Sequence, residues 1–358
     1  MKIIVVCGTR PDAIKLAPIY KTLAAVLPRQ SLLLLSSGQH RELLAQALAE
    51  FDLVPDIDLA VMRPGQDLAR LSARIVTGVT EVLERERPTL VITHGDTTTA
   101  FSAALASFYR GIPVAHVEAG LRSFALDSPF PEEAHRRFIA TIAAMHFAPT
   151  ELERRNLLAE GVPADRIHVT GNTMIDALTS AIARTSPGAD ASMQRLVLTM
   201  HRRERDTQQT RALLETLRGY LDAHPTLALT CPLHLQPATR DELTTVFADH
   251  PRVCLAPPLG YSDFIGLLRA SACVLTDSGG VQEEAAFLRK PVVLLRERTE
   301  RRDGLATGRV RLVGNDPTIL PFVLDEMLAA PREPLPTAIA SESPSRRIVQ
   351  LILERQAA

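Results

Sequence analysis

Two doubly wound α/β domains, each built on a parallel sheet, are the fold this sequence predicts. Short β-branched or leucine-rich runs alternate with longer amphipathic segments along the 358 residues. The runs are continuously apolar, as strands covered on both faces must be. A small, polar stretch at 184–194 (RTSPGADASMQ) separates two such series.

The elements follow in order. The first series of strands is read at 2–7 (KIIVVC), 31–36 (SLLLLS), 89–93 (TLVIT), 113–117 (PVAHV), 145–148 (MHFA) and 167–169 (IHV). The second is read at 195–200 (RLVLTM), 227–231 (LALTC), 252–255 (RVCL), 272–276 (ACVLT) and 291–295 (PVVLL). Amphipathic segments at 12–27, 66–87, 97–109, 132–144, 207–223 and 281–289 supply covering helices. The first domain is drawn over 1–172 and the second over 173–343. An amphipathic helix at 344–358 is placed by no motif and is open to packing back on either domain, the first included.

Composition excludes several classes of function. The 40 basic and 41 acidic residues leave a net charge of −1, so nothing electrostatic favours nucleic acid. Aromatic residues are 4% and tryptophan is absent, which leaves few platforms for stacking bare bases. No apolar run approaches the roughly 20 residues of a membrane span. The N-terminal apolar run is cut off by Gly8-Thr9-Arg10 and reads as a first strand, so a cytoplasmic protein is expected. Cys7, Cys231, Cys254 and Cys273 lie in or beside apolar runs without C-x-x-C spacing; they are expected as buried free thiols, with no metal. Only four basic residues are lysines (Lys2, Lys15, Lys21, Lys290), which draws attention to Lys15 near a glycine turn.

The unusual polar residues share one kind of location. In an open parallel sheet, ligands bind beyond the carboxyl ends of the strands. Strands here run into Gly8-Thr9-Arg10-Pro11, Ser37-Gly38-Gln39-His40, His94-Gly95-Asp96-Thr97, Glu118-Ala119-Gly120, His201-Arg202-Arg203-Glu204 and Asp277-Ser278-Gly279-Gly280. Six clusters on one kind of edge predict a cleft built from both domains.

Individually, most have a plain structural alternative. Gly8 to Pro11 is a turn with Pro11 suited to the first helical position. It is not G-x-G-x-x-G and has no acid at dinucleotide spacing, so a tightly held nicotinamide is disfavoured. Arg10 is suited to clamp a diphosphate. Asp96 is either a cleft carboxylate or the N-cap of the next helix. Glu118 ends a strand, where a buried carboxylate needs a partner. Glu132 and Glu133 open a helix and complement its dipole, or bring acids to the cleft. His116 reads as a core histidine. In LTDSGGVQEEA (275–285), a glycine turn feeds a helix expected to carry Glu283 and Glu284 in its first turn. Those acids either only complement the helix dipole or, one turn beyond helix-end amides that favour phosphate, accept sugar hydroxyls, and the combination then describes a nucleotide site.

GTRPDAIK, HGDTTT, HVEAGLR, SPFPEEAHR, GNTMIDAL, HRRE, TDSGGVQEEA and TERR, in this order, resemble the non-hydrolysing UDP-N-acetylglucosamine 2-epimerases from residue 2 to about 315. The resemblance implies the two-domain glycosyltransferase-B-like fold, its domains facing across a cleft, with no nicotinamide or metal and a homodimeric assembly. It implies UDP on the second domain: Ser278, Gly279 and Gly280 at phosphate, Glu284 at the ribose and Phe264 beside uracil. Arg10, His201 and Arg301 match diphosphate contacts. Asp96, Glu118 and Glu132 match catalytic carboxylates, Lys15 and Arg136 lie near the hexose, and Lys15 and His201 join the catalytic set. Gln39, His40, Glu42 and His234 are candidates for a second, activating substrate molecule. The implied reaction interconverts UDP-N-acetylglucosamine and UDP-N-acetylmannosamine through 2-acetamidoglucal, for cell-surface polysaccharide synthesis. The alternatives are a hydrolysing epimerase, a glycosyltransferase of the same fold and an inactive nucleotide-sugar sensor. The chain departs from the family pattern at 205–210 (RDTQQT), in TERRD after Arg298, and at 339–347 (IASESPSRR).

Overall fold

A computed structural model describes residues 1–39, 41–63, 65–185, 193–200, 207–233, 237–297, 299, 305, 308–314, 316–331, 333 and 342–357. His40, His201, His234 and Arg301 lie outside the described residues. The chain divides into two compact units, Met1–Ala177 with Ile339–Ala358, and Leu178–Ala338.

The first unit carries a seven-stranded sheet in the order β3-β2-β1-β4-β5-β6-β7, every pairing parallel. Its strands are β1 (Ile3–Cys7), β2 (Leu32–Ser36), β3 (Ile57–Asp58), β4 (Leu90–His94), β5 (Val114–Val117), β6 (Met145–Ala148) and β7 (Ile167–Val169). The helices between them are α1 (Arg10–Ala24), α2 (Arg41–Glu50), α3 (Leu68–Glu86), α4 (Thr98–Tyr109), α5 (Glu132–Ile142) and α6 (Glu151–Ala159), and α7 (Met174–Arg184) leads out of the unit. β1, β2, β4, β5 and β6 are buried almost throughout, which is why they read as unbroken apolar runs. Ile4, Val6, Leu35 and Val91 pack with Leu71, Ile75, Val79 and Val82 of α3 in one core cluster.

The second unit has six parallel strands in the order β10-β9-β8-β11-β12-β13. They are β8 (Gln194–Thr199), β9 (Leu227–Pro232), β10 (Val253–Ala256), β11 (Cys273–Thr276), β12 (Val292–Leu294) and β13 (Val310–Leu312). Its described helices are α8 (Thr207–Ala223), α9 (Pro237–Phe247), α10 (Tyr261–Ala270), α11 (Gly279–Phe287) and α12 (Leu320–Ala329). The C-terminal helix α13 (Pro344–Ala357) belongs to the first unit and packs on α1.

Three local readings change. β3 and β13 were not expected; both are edge strands of two or three residues, too short to impose a pattern. Cys254 is exposed rather than buried, because β10 is also an edge strand and turns that residue to solvent. α11 starts at Gly279, so Glu283 and Glu284 fall in its second turn and no acid occupies the first. The helix-dipole reason for those acids is thereby weakened, since the effect fades beyond the first turn.

In both sheets the strand order reverses at one place, between β1 and β4 and between β8 and β11. The carboxyl ends at such a reversal are where α/β sheets hold ligands.

Candidate active site

The β1–α1 turn is built for close approach. A Cβ at Gly8 would lie 2.5 Å from Ser37 Oγ and 2.6 Å from Thr99 Cβ, so only glycine fits. Thr9 is the N-cap of α1, and Thr9 with Asp12 forms a capping box. Pro11 is therefore the second helical residue, one later than expected. Asp12 Oδ2 accepts from the amides of Gly8 and Thr9, each at 3.1 Å, and from Thr97 Oγ1 at 3.3 Å. Arg10 is half-buried beside this turn and makes no ion pair among the described residues.

One turn further along α1, Lys15 is 5% exposed and pairs with Glu118, itself 7% exposed. Glu118 follows β5 with φ of +61°, a left-handed conformation unfavourable for a side chain bearing Cβ. Such an outlier at a sheet's ligand-binding edge points to function, where strain is held by surrounding structure.

Asp96 is not the N-cap of α4. Thr97 holds that position, its hydroxyl accepting from the Ala100 amide at 3.1 Å. The Asp96 carboxylate instead pairs with the buried Arg136 guanidinium. Arg136 is fixed from behind by Glu133 Oε2, which accepts from its Nε at 3.0 Å and Nη2 at 2.8 Å. Glu133 is fully buried and also accepts from the amides of Ser123 and Phe124, at 2.9 and 3.2 Å. Burial pushes this carboxyl up, but the Ser123 amide and Arg136 more than offset it and hold it below its ordinary value. Glu133 is thus a strut between the β5–α5 loop and Arg136, whereas its half-buried neighbour Glu132 opens α5.

Two residues that sequence reasoning did not single out, Asp12 and His94, complete the cluster. His94, 4% exposed at the end of β4, has Nδ1 at 3.3 Å from Asp12 Oδ1 and Nε2 at 3.4 Å from Glu118 Oε2. The second contact falls short of hydrogen-bond geometry. Burial pulls this imidazole down, but Glu118 and Asp12 outweigh burial and the opposing Lys15, raising it to about 9 from 6.5. A folded value above the unfolded one stabilises the fold fully below pH 6.5 and is lost as pH rises through about 9. Wild type should therefore lose stability on the order of a few kcal/mol across that window. His94→Gln should lack this component, and urea denaturation at both ends measures it. Equal pH dependence in the two proteins would refute it.

His116 is buried as expected. Its Nε2 donates to the Gly95 carbonyl at 2.7 Å, and burial holds it at about 3, so it stays neutral. Gln39 Oε1 accepts from the Thr99 amide at 3.2 Å and hydroxyl at 2.8 Å, while Glu42 is exposed in the first turn of α2.

In the second unit, Ser278 caps α11 and its amide donates to Thr276 Oγ1 at 3.0 Å, fixing the turn. Ser278, Gly279 and Gly280 are half-buried, Glu284 is 7% exposed one turn on, and Phe264 is buried in α10. Among the described residues no group of His, Cys, Asp and Glu is arranged to hold a metal. No described helix is long and apolar enough to cross a membrane.

Two parallel-sheet α/β domains with charged residues gathered at the strand carboxyl ends define a glycosyltransferase-B-like protein. A family model described as UDP-N-acetylglucosamine 2-epimerase matches residues 27–352, and the chain belongs to that family. It is 41% identical over 329 residues to the UDP-N-acetylglucosamine 2-epimerase of Escherichia coli K12, covering 88% of this chain and 87% of that one. It is 39% identical over 362 residues to the Bacillus subtilis enzyme of the same name, covering 99% and 95%. The Neisseria meningitidis UDP-GlcNAc 2-epimerase, solved bound to UDP-GlcNAc, superposes with a TM-score of 0.87 at 36% identity over 100% of both chains.

Proposed function

We propose that this protein interconverts UDP-N-acetylglucosamine and UDP-N-acetylmannosamine, by elimination and re-addition of UDP and without hydrolysis. The observation that carries the reading is the charge cluster of the first unit, the buried pair of Lys15 with Glu118 and the buried Arg136 with half-buried Asp96, in a chain of this family.

The hydrogen on carbon 2 is not beside a carbonyl, so it is not acidic in the substrate. Breaking the carbon 1–oxygen bond expels UDP with the electron pair and leaves cationic character at the ring. A carboxylate then removes the carbon 2 proton, the electrons form the carbon 1–carbon 2 double bond, and 2-acetamidoglucal results. Protonation of carbon 2 from the other face and return of UDP to carbon 1 give the epimer. Asp96, Glu118 and Glu132 are assigned to proton transfer and cation stabilisation, with Lys15 and Arg136 holding two of them in place. Arg10, His201 and Arg301 are assigned to the leaving diphosphate. In the second unit, Ser278, Gly279 and Gly280 are assigned to phosphate, Glu284 to the ribose and Phe264 to the uracil. No cofactor is invoked. A homodimer is part of the proposal, tested by sedimentation. So is activation by a second substrate molecule through Gln39, His40, Glu42 and His234, tested by sigmoidal rate dependence on UDP-N-acetylglucosamine.

Proton NMR of UDP-N-acetylglucosamine with enzyme in heavy water tests the reaction. UDP-N-acetylmannosamine should carry deuterium at carbon 2, with slow, minor release of UDP and 2-acetamidoglucal. Epimer without solvent deuterium, or stoichiometric UDP with free N-acetylmannosamine, would overturn the proposal.

The nucleotide assignment has its own test. Glu284→Ala should weaken UDP binding by roughly 1.5–3 kcal/mol, the range for a hydrogen bond to a charged group. Calorimetric titration measures it, and unchanged affinity would remove Glu284 from the ribose.

A further inference from the structure

We infer that His94 is a positioning residue for Glu118: held by Asp12, its imidazolium shares with Lys15 the charge on Glu118 Oε2 and keeps that carboxylate ionised and oriented for proton transfer. The inference rests on the proposed epimerisation and gives a role to a side chain that none of the assignments above uses.

The geometry starts from Asp12. Its Oδ2 is occupied by two backbone amides and the Thr97 hydroxyl. Its Oδ1 is the oxygen facing His94 Nδ1, at 3.3 Å. A hydrogen on Nδ1 directed at that carboxylate fixes the ring, and the opposite nitrogen then lies 3.4 Å from Glu118 Oε2, a charge contact rather than an aligned hydrogen bond. Lys15 meets the same oxygen.

Charge balance among the described residues favours the protonated ring. Among the described residues, the titratable groups facing the imidazole are Asp12 and Lys15 from α1, Glu118 beyond the end of β5, and His116 within β5. Asp96 and Arg136 are paired with each other. His116 is neutral, so among the described residues two carboxylates stand against one ammonium, all buried. A protonated His94 makes the cluster neutral, and an uncompensated buried charge is expensive.

His116 supplies the contrast. It is as deeply buried, one strand away, but its ring meets the Gly95 carbonyl rather than a carboxylate. Burial then prevails, with repulsion from His146, His94 and Arg122 adding to it, and His116 is pushed down where His94 is pushed up. A plain core histidine at position 94 would resemble His116.

The test pairs kinetics with direct titration. In wild type, kcat for epimerisation should fall on the alkaline side near pH 9, where His94 loses its proton. His94→Gln keeps an uncharged donor near the Nε2 position. It should lower kcat about tenfold to a hundredfold, the scale for a slightly misplaced group, leave KM within a few-fold and abolish the alkaline limb. Carbon-13 labelling of the histidine rings, with the His94 resonance identified by its absence in His94→Gln, reads the midpoint directly. It should lie well above 6.5 in wild type and fall in Glu118→Gln. A midpoint at or below 6.5, or an unchanged alkaline limb in an active His94→Gln enzyme, overturns the inference. A wild type that binds UDP but does not epimerise overturns the proposed function instead. The ring titration would still decide whether His94 forms the charge pair with Glu118.

Discussion

Glu118→Gln should lower epimerase turnover by about 10²-fold or more, the usual scale for an acid–base group, with a smaller change in UDP affinity. The amide occupies nearly the same volume, so the pocket shape survives. What disappears is the negative charge that Lys15 and His94 face at the end of β5. The glutamine would leave two buried cations around a neutral group, and His94 should deprotonate in response. Loss of proton-transfer capacity and loss of local balance therefore act in the same direction. Asp96→Asn and Glu132→Gln are expected to cost turnover on the same scale, about 10²-fold, through different surroundings. Asp96 is the partner of Arg136, while Glu132 opens α5 beside the strut formed by Glu133. Steady-state rates for the three variants, alongside calorimetric UDP titrations, separate chemistry from binding. Near wild-type turnover in all three would remove the first unit from the chemistry.

The sheets were legible because their strands are buried on both faces and appear as continuous apolar runs. That reading failed where burial is partial. β3 and β13, at the sheet edges, have two or three residues and too few neighbours to require a hydrophobic pattern. The candidate site was legible at strand ends, where a charged residue such as Glu118 interrupts an apolar run and needs a partner. It was ambiguous wherever a residue type has two good uses. Asp96 could have capped α4, and only the Thr97 hydroxyl on the Ala100 amide shows the position already filled. Glu132 and Glu133 are adjacent, and which one turns inward depends on the exact phase of α5, which two letters do not carry. Asp12 was hidden by an ordinary role: an acid at the third position of a helix is the expected half of a capping box. Its second oxygen, facing His94, has no local signature, because the two residues are 82 positions apart. In α11 a start two residues earlier than the apolar pattern suggested moved both acids into the second turn.

Gly8→Ala should destabilise the first unit by roughly 3–5 kcal/mol, combining overpacking with loss of buried hydrogen bonds. The added methyl would fall within contact of Thr99 Oγ1 and lie 2.5 Å from Ser37 Oγ. Those hydroxyls are bonded to each other at 2.7 Å, and Gln39 accepts from Thr99 in turn. Making room separates the pair and leaves buried oxygens without partners where β1, β2 and α4 meet. Neither wall yields cheaply: Ser37 is fully buried at the end of β2, and Thr99 is fully buried in the first turn of α4. Gly95→Ala is the informative contrast. Its φ of +64° strains any other residue, but a Cβ there meets open space. It should cost only about 1 kcal/mol, the conformational penalty alone. Urea denaturation of the three proteins, with slopes unchanged, measures the difference. Adding Thr99→Ala to Gly8→Ala should recover part of the loss, since the hydroxyl is gone, but not all, because Thr99 Cβ remains 2.6 Å from the new methyl. Equal midpoints for Gly8→Ala and Gly95→Ala would mean that the turn can open without breaking the Ser37–Thr99 pair. The position of Arg10 and Lys15 would then not depend on close packing beneath Gly8.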